Sequence, residues 1–307
     1  MRLVLFLNMG GASSLDECEV FLKNMFNDPY ILGIKNSLLR KMVAFIISKS
    51  RLKAMQENYK HIGGKSPLNE LTLSLCEKLN LKCKESKKEQ IFDFVNLYVP
   101  PFALAVLQKY QLTQNDELVL FPLYPHHSKT TVTSSLEVLK TEIAKLEIKA
   151  KLKIIDVFYK DELYNEMIID DILKTKQEFN EAKTLIFSAH SLPISVIKKG
   201  DLYEKQVVEH TELLKEKLKN HFDEFFLSYQ SKLGPIKWLE PNTGDVLANL
   251  KNKALIYPIS FCIDCSESVF ELEIEYRKVA KEDYKVIACP NDSEAFMKFI
   301  LKILENL

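Results

Sequence analysis

Short apolar runs recur along the chain and are bounded by polar or turn residues. They are rich in Val, Ile, Leu and Phe, which is typical of strands buried on both faces of a parallel sheet. The runs begin near residues 2, 117, 151, 184, 224, 254 and 284. Segments with helical periodicity lie between them, most clearly at 135–147, 161–178, 203–221, 267–281 and 293–305. This alternation predicts an α/β fold with parallel sheets flanked by helices.

The chain is long enough for two domains, since it has 307 residues of which 47% are hydrophobic. We place the boundary after the helix at 135–147, which gives an N-terminal domain at 1–150 and a C-terminal domain at 151–307, each with about four strands. For the last helix, at 291–307, Asn291 is the expected N-cap, with Glu294 completing a capping box. Its apolar stripe fits either domain, so it could pack back on the first.

Charge and composition exclude several classes of function. Lys and Arg together number 42, as do Asp and Glu, so the net charge is zero and a nucleic-acid partner is not expected. No uninterrupted apolar stretch reaches the roughly 18 residues of a membrane span. The six cysteines are scattered, and in a chain that we expect to be cytoplasmic they should stay reduced.

Polar residues at strand exits are the candidates for function, because ligands of open α/β sheets bind beyond the carboxyl ends of the strands. His190 ends the apolar run TLIFSAH, and Asn8 ends the first run, just before Gly10 and Gly11. The glycine pair fits neither nucleotide-binding pattern, so no nucleotide is expected. From the residues alone, His190 could be a structural histidine, a metal ligand or a proton carrier.

Two further patterns carry chemistry. His126 and His127 are adjacent and should point in opposite directions, so they cannot easily bind one metal; a group at a ligand entrance and solvated loop histidines both remain open. Glu267, Glu271 and Glu275 are spaced by four and would form one acidic stripe on a helix. The stripe is either a path for cations and protons or a solvated face. Imidazole with carboxylates suits divalent iron, nickel or zinc, and also proton transfer.

Six motifs in order identify a family resemblance. They are LFLNMGGAS from residue 5, YKHIGGKSPL from 59, FPLYPHHSKTTVTSS from 121, IFSAHSLPISVIKKGDLY from 186, YQSKLGPIKWLEPNT from 229 and PISFCIDCSESVFELEIEY from 258. Together they resemble the ferrochelatases, lyases that insert ferrous iron into protoporphyrin IX in the terminal step of haem biosynthesis. The resemblance covers nearly the whole chain.

The resemblance implies two Rossmann-like domains with a porphyrin cleft between them and a cleft lip near 30–60. It implies that His190 and Glu267 are catalytic and lie on opposite sides of the porphyrin, without saying which of them takes the protons. The implied metal path consists of His190, Glu267, Glu271 and Asp264, with Glu275 further along. The implied porphyrin contacts are Asn8, Met9, Tyr124, Ser128, Phe261 and Trp238.

The chain departs from the family pattern at two informative places. Cys265 stands where the family usually has a histidine, and Leu97 where it often has an arginine before Tyr98. These departures leave a chelatase for another divalent metal or tetrapyrrole, such as coproporphyrin III, and a non-catalytic porphyrin or iron carrier, as alternatives. By the same resemblance, Asn8 favours protoporphyrin, because members of the family that use coproporphyrin often have a tyrosine there. The lack of the family's cysteine tail predicts no iron–sulfur cluster, with iron as substrate only.

The segment at 37–55 combines an apolar face with five basic residues and no acidic one. It indicates either peripheral attachment to the inner face of the cell membrane or ordinary packing of a helix with a basic rim. The sequence does not determine the oligomeric state.

Overall fold

The computed structural model describes residues 1–307, which divide into two compact units. The first unit contains Met1–Tyr124 and Ser128–Asp156, and the second contains Pro125–His127 and Val157–Leu307. The division lies slightly beyond the expected boundary at 150, because the strand after that residue pairs with the first sheet.

The first unit is built on a sheet of four parallel strands. Its strands are β1 (Arg2–Asn8), β2 (Gln90–Asn96), β3 (Glu117–Pro122) and β4 (Lys151–Ile154), in the order β2-β1-β3-β4. Its helices are α1 (Glu17–Phe26), α2 (Pro29–Leu32), α3 (Ser37–Lys60), α4 (Leu68–Glu85), α5 (Ala103–Tyr110) and α6 (Ser134–Lys145), and a π-helix (Lys129–Thr133) precedes α6. Leucines of β1 and β3 pack against α5 and α6 in one core.

The second unit repeats this plan. Its four parallel strands are β5 (Thr184–His190), β6 (Glu224–Gln230), β7 (Ala254–Tyr257) and β8 (Tyr284–Val286), in the order β6-β5-β7-β8. Its α-helices are α7 (Glu162–Glu178), α8 (Ile194–Ile197), α9 (Tyr203–Leu218), α10 (Thr243–Ala248) and α11 (Glu294–Glu305). A π-helix (Glu267–Glu275) continues into a 3₁₀ turn (Tyr276–Lys278), and its Leu272 joins the core formed with β5, β7 and α10.

The predicted fold class is confirmed by these two parallel sheets, but strand β2 was missed. Asp93 lies inside it and interrupts the apolar run, and a strongly charged segment comes just before it. The carboxylate of Asp93 is satisfied locally, since it accepts hydrogen bonds from Tyr110 Oη and Lys109 Nζ. Tertiary partners therefore allow a polar residue where periodicity predicts none.

The N-cap predicted for the last helix was wrong. The N-cap of α11 is Ser293, whose hydroxyl accepts a hydrogen bond from the Phe296 amide, and not Asn291. The helix belongs to the second unit and not to the first, because Phe299 packs against the ring of Tyr164 in α7 at a centroid distance of 5.2 Å.

The predicted helix at 267–281 forms as a π-helix followed by a 3₁₀ turn. π-helices are rare and are frequently found at functional sites. No helix in the structure is both long enough and apolar enough to cross a membrane.

Candidate active site

His190 is held at the end of β5 by its own backbone. Its amide donates to Ser260 Oγ at 2.9 Å, and its carbonyl accepts from Tyr203 Oη at 2.9 Å. Gln230, the last residue of β6, is its partner in the parallel register. These hydrogen bonds fix the backbone of His190 at the carboxyl edge of the sheet. This is the expected position for a site in an open α/β sheet.

His190 and Glu267 form a direct pair. Nδ1 of His190 lies 2.7 Å from Oε2 of Glu267, and the side chains are 36% and 32% exposed. The expectation that the two residues lie on opposite sides of a porphyrin was wrong, because a hydrogen bond of this length leaves no space for a ring between them. The β5 exit and the start of the π-helix bring them together.

His190 and Glu267 shift each other's pKa in the direction that favours the charged form of each. Burial lowers the pKa of His190, but the negative charge and hydrogen bond of Glu267, with the charge of Glu271, outweigh it and raise the pKa above the usual value. Burial raises the pKa of Glu267, but the charge and hydrogen bond of His190 and the hydrogen bond of Ser231 lower it overall. The ionised Glu267 carboxylate accepts a hydrogen bond from Nδ1–H of His190. Neutral His190 therefore has its lone pair on Nε2.

Ser231 connects this pair to a second carboxylate. Its hydroxyl lies 2.8 Å from Oε2 of Glu267 and also bonds Oε2 of Glu271, while its amide donates to Oε1 of Glu271 at 2.8 Å. Ser231 has a positive φ of 67°, which is uncommon for a residue other than glycine. Strained backbone of this kind often occurs at functional sites.

The Ser231 hydroxyl has one proton and faces two carboxylates, so it cannot donate to both at once. Burial and the charge of Glu267 raise the pKa of Glu271. Glu271 is therefore the carboxyl group better suited to hold a proton, and Glu267 the one better suited to stay ionised. The arrangement can move a proton between the two through one hydroxyl.

Hydrogen bonds to neighbouring polar groups fix the side chain of Gln230 next to the two carboxylates. Its Oε1 accepts from Ser188 Oγ at 2.7 Å, and its Nε2 donates to the Glu267 carbonyl at 3.2 Å and to Oε2 of Glu271 at 3.3 Å. Tyr276 Oη also donates to Glu271, at 3.1 Å. Sequence reasoning missed Ser231, Gln230 and Tyr276 as functional residues. The only signal was the place of YQS at a strand exit.

The acidic stripe is only partly present. Glu267 and Glu271 reach the site, whereas Glu275 is exposed on the outer part of the π-helix. In a π-helix the backbone bonds run from i to i+5, so a spacing of four does not give the stripe expected for an α-helix.

Asp264 has a different environment from the one predicted. Its carboxylate accepts from Ser268 Oγ at 2.7 Å and Asn291 Nδ2 at 2.7 Å, and more weakly from the Cys289 amide at 3.4 Å. These bonds join the start of the π-helix to the segment after β8. The structure thus brings together three of the four predicted metal-path residues, His190, Glu267 and Glu271, and places Asp264 in a separate network. No group of three or more His, Cys, Asp or Glu side chains is arranged to hold a metal ion.

The predicted porphyrin contacts of the first unit lie at neighbouring strand ends. Asn8, the last residue of β1, is buried and donates from Nδ2 to Thr72 Oγ1 at 3.1 Å, and Met9 follows it. Tyr124 follows β3 and is partly exposed, with its hydroxyl 3.5 Å from Ser135 Oγ. Ser128 is buried and caps the π-helix by accepting from the Thr130 amide.

The predicted contacts of the second unit lie in loops at its own carboxyl edge. Phe261 is partly exposed after β7. Trp238 is partly exposed, and its indole N–H donates to the Leu233 carbonyl at 3.1 Å. A bridge between Trp238 and Pro193 holds this loop beside the segment that follows His190.

Comparison with known proteins gives a consistent result. A family model described as Ferrochelatase matches residues 3–307. A ferrochelatase of Campylobacter jejuni strain RM1221 is 72% identical over 307 residues, covering 100% of both chains. One of Campylobacter concisus is 52% identical over 99% of this chain and 98% of its own, and one of Helicobacter acinonychis is 43% identical over 99% and 92%.

Solved structures with the same fold are more distant in sequence. The structure described as CbiX, the terminal enzyme for biosynthesis of siroheme in denitrifying bacteria, has a TM-score of 0.56 at 10% identity and covers 100% of this chain and 99% of its own. SirB from Bacillus subtilis with Fe3+ has a TM-score of 0.55 at 12% identity and covers 99% and 94%. At these identities the likeness supports the fold alone.

Proposed function

The chain belongs to the ferrochelatase family, and we propose that it inserts ferrous iron into protoporphyrin IX at the His190–Glu267 pair. Its class is that of a lyase forming metal–nitrogen bonds in haem synthesis. The observation that carries the proposed mechanism is the 2.7 Å hydrogen bond between His190 Nδ1 and Glu267 Oε2. It combines a base with the carboxylate that stabilises its charged form.

Iron insertion requires the porphyrin to lose two pyrrole protons while Fe²⁺ replaces them, so charge balances when two protons leave. His190 Nε2 carries the lone pair that accepts the first proton. The imidazolium that results is stabilised by the Glu267 carboxylate, as in other carboxylate–histidine pairs. The raised pKa of His190 supports this role, because it reflects favourable interactions with the protonated ring.

The carboxylate of Glu267 contributes to iron binding, and the carboxylate of Glu271 accepts the second proton. Both side-chain hydrogen bonds of Glu267 involve Oε2, so Oε1 can approach a ferrous ion beside His190 Nε2. Imidazole nitrogen, before it is protonated, and carboxylate oxygen are ordinary ligands of divalent iron. Glu271, whose pKa is raised, receives a proton through the Ser231 hydroxyl. Iron is a substrate throughout, and we assign no iron–sulfur cluster to the six buried cysteines.

We assign the porphyrin contacts by the family motifs at strand exits. Asn8, Met9, Tyr124 and Ser128 contribute from the first unit, and Phe261 and Trp238 from the second. Asn8 is the basis for choosing protoporphyrin IX over coproporphyrin III.

The test is an anaerobic assay of the purified protein with ferrous iron and protoporphyrin IX, following loss of porphyrin fluorescence and gain of haem absorbance. His190→Ala should lower kcat at least about 100-fold, the lower end of what a general base contributes. His221→Ala is the matched control, because His221 is an exposed histidine of the same unit. It should stay within about twofold of wild type.

Activity of His190→Ala within tenfold of wild type would refute the assigned role. A wild-type protein that metallates porphyrin with cobalt, nickel or zinc in preference to iron would instead be a chelatase for another metal. Tight porphyrin binding without insertion of any divalent metal would identify a carrier.

We also propose that α3 attaches the protein peripherally to the inner face of the cell membrane. Leu38, Met42 and Ile46 follow each other at intervals of four and are 78%, 56% and 59% exposed. Lys49 and Lys53 continue the same face. Apolar side chains next to lysines match an anionic lipid surface, where the chains enter the acyl boundary and the ammonium groups meet the headgroups.

A further inference from the structure

A buried pair of histidines lies outside the catalytic site. His126 is 2% exposed and His210 in α9 is fully buried, and His126 Nε2 lies 3.0 Å from His210 Nδ1. His126 was expected either at a ligand entrance or in a solvated loop, and the second of these is wrong. The catalytic proposal uses neither histidine.

The surrounding hydrogen bonds determine where the protons of this pair lie. Asn165 Nδ2 donates to the carbonyls of Tyr159 and Asp161 at 2.9 and 2.8 Å, so its Oδ1 faces His210 Nε2 at 2.8 Å as an acceptor. His210 therefore carries its proton on Nε2 and presents a lone pair on Nδ1. His126 Nε2–H is the donor between the rings, and its Nδ1 has no partner.

The pair stays neutral under ordinary conditions. Its other neighbours are aromatic, with the rings of Tyr159 and Tyr203 at 5.5 and 6.0 Å from the His126 ring. Burial, with the proximity of His210, holds the pKa of His126 well below its usual value. Burial also lowers the pKa of His210 to about 3. The single N–H···N bond therefore persists at neutral pH.

The pair anchors a short piece of chain. Pro125–His127 belongs to the second unit, while Tyr124 and Ser128 on either side belong to the first. The Tyr159 amide donates to the Pro125 carbonyl at 3.3 Å, and the His127 amide donates to Gln206 Oε1 at 2.6 Å. The side chain of His126 bonds into the core of the second unit through His210.

We propose that the His126–His210 hydrogen bond is a latch that positions Tyr124 and Ser128 for porphyrin binding. The inference rests on the proposed function, which assigns porphyrin contacts to these two residues. Each is two residues from His126, so a displacement of His126 reaches both through at most two peptide links. Ser128 also caps the π-helix Lys129–Thr133, so a shift there moves the hydroxyls that follow.

The test compares two substitutions of His126 that differ in one hydrogen-bond donor. His126→Phe keeps a planar ring but cannot donate to His210, which leaves a buried acceptor unpaired. His126→Gln places an N–H near the position of Nε2 and keeps the donor. Protoporphyrin Kd is measured by fluorescence without metal, and KM and kcat are measured in the anaerobic assay.

For His126→Phe we expect Kd and KM for porphyrin to rise about fivefold to tenfold, the lower end of the range that an unsatisfied buried acceptor produces. Its kcat should stay within about twofold, because the catalytic pair is unchanged. His126→Gln should restore Kd and KM to within about twofold of wild type. Unchanged porphyrin affinity in His126→Phe, or equal losses in both variants, would overturn the latch.

If His126→Phe does not fold, the reciprocal comparison uses His210→Leu against His210→Asn, which keeps an acceptor oxygen. Nitrogen NMR of the wild-type histidines is independent of any variant. It should find both rings protonated at Nε2. A His126 ring protonated only at Nδ1, opposite a His210 ring protonated only at Nε2, would leave no proton between the two rings and would overturn the latch. Because Kd is measured without metal, a protein that binds porphyrin but does not metallate it would refute the proposed function and still test the latch.

Discussion

At the scale of single residues, the bond between His190 and Glu267 changes the roles that the family motifs imply. The motifs place both residues in the site but do not give their distance. The structure pairs them through Nδ1, which supports the proposal that Glu267 stabilises the protonated base and that His190 Nε2 accepts the proton from the substrate. Their chemistry could be predicted from residue type, but their contact could not, because it depends on how β5 and the π-helix pack.

Asp264 gives a prediction about stability. Its two carboxylate oxygens accept from Ser268 and Asn291, bonds that hold the start of the π-helix. In Asp264→Asn one oxygen becomes an amide group that faces another donor, which should lower the free energy of unfolding by about 1–3 kcal/mol. Denaturant titration of the iron-free protein measures this.

Asp223→Asn is the matched control, since Asp223 is exposed, and it should change stability by less than about 0.5 kcal/mol. An Asp264→Asn protein with wild-type stability but much weaker iron binding would support the original assignment of Asp264 to the metal path.

At the scale of elements, strand exits were easier to predict than helix geometry. The apolar runs ending in Asn8 and His190 correctly marked two strands. The spacing of Glu267, Glu271 and Glu275 indicated an α-helix, whereas the backbone forms a π-helix. Periodicity reports which positions are apolar and cannot reveal the hydrogen-bond register of a helix.

From the geometry of the π-helix we predict that Glu271 and Glu275 differ in function. Glu271 accepts hydrogen bonds from Ser231, Gln230 and Tyr276, whereas Glu275 is exposed. Glu271→Gln removes the carboxyl that is proposed to receive a proton and should lower kcat at least about 100-fold, the lower end of what a proton-transfer group contributes. Glu275→Gln, one step along the same helix, should stay within about threefold. Equal losses in the two variants would indicate the continuous acidic path that the sequence favoured.

At the scale of the whole molecule, the sequence predicted two α/β halves and an approximate boundary. It could not predict that Lys151–Ile154 pairs with the first sheet, because strand order is a property of the folded chain. It also could not decide between membrane attachment and core packing for α3, since an apolar face looks the same in both cases. The exposure of Leu38, Met42 and Ile46 favours attachment.

Membrane attachment can be tested with vesicles containing anionic phosphatidylglycerol. Ile46→Glu should lower vesicle binding at least about tenfold, because one buried isoleucine contributes roughly 1.5–3 kcal/mol and the new charge is repelled. Leu81→Glu on α4 is the control, since Leu81 is 57% exposed and Ile46 is 59% exposed. Binding should be measured by sedimentation at several salt concentrations. Equal binding of wild type and Ile46→Glu would exclude α3 as the attachment surface.

The proposed role of His190 as the base can be tested by the pH dependence of kcat/KM for iron insertion. Protonated His190 cannot accept a pyrrole proton, so the rate falls as pH drops through the pKa of His190, which Glu267 raises. In Glu267→Gln that negative charge is removed while the burial that lowers the pKa remains. Comparing the two proteins under identical conditions cancels the ionisation of the substrates.

We expect the acidic limb of the profile to lie above about pH 6.5 in wild type, the ordinary histidine value, and to move to lower pH in Glu267→Gln. The variant would then keep a larger share of its own maximal rate at low pH, although that maximum is reduced. An acidic limb at the same pH in both proteins would show that Glu267 does not set the protonation of the catalytic base and would contradict the account.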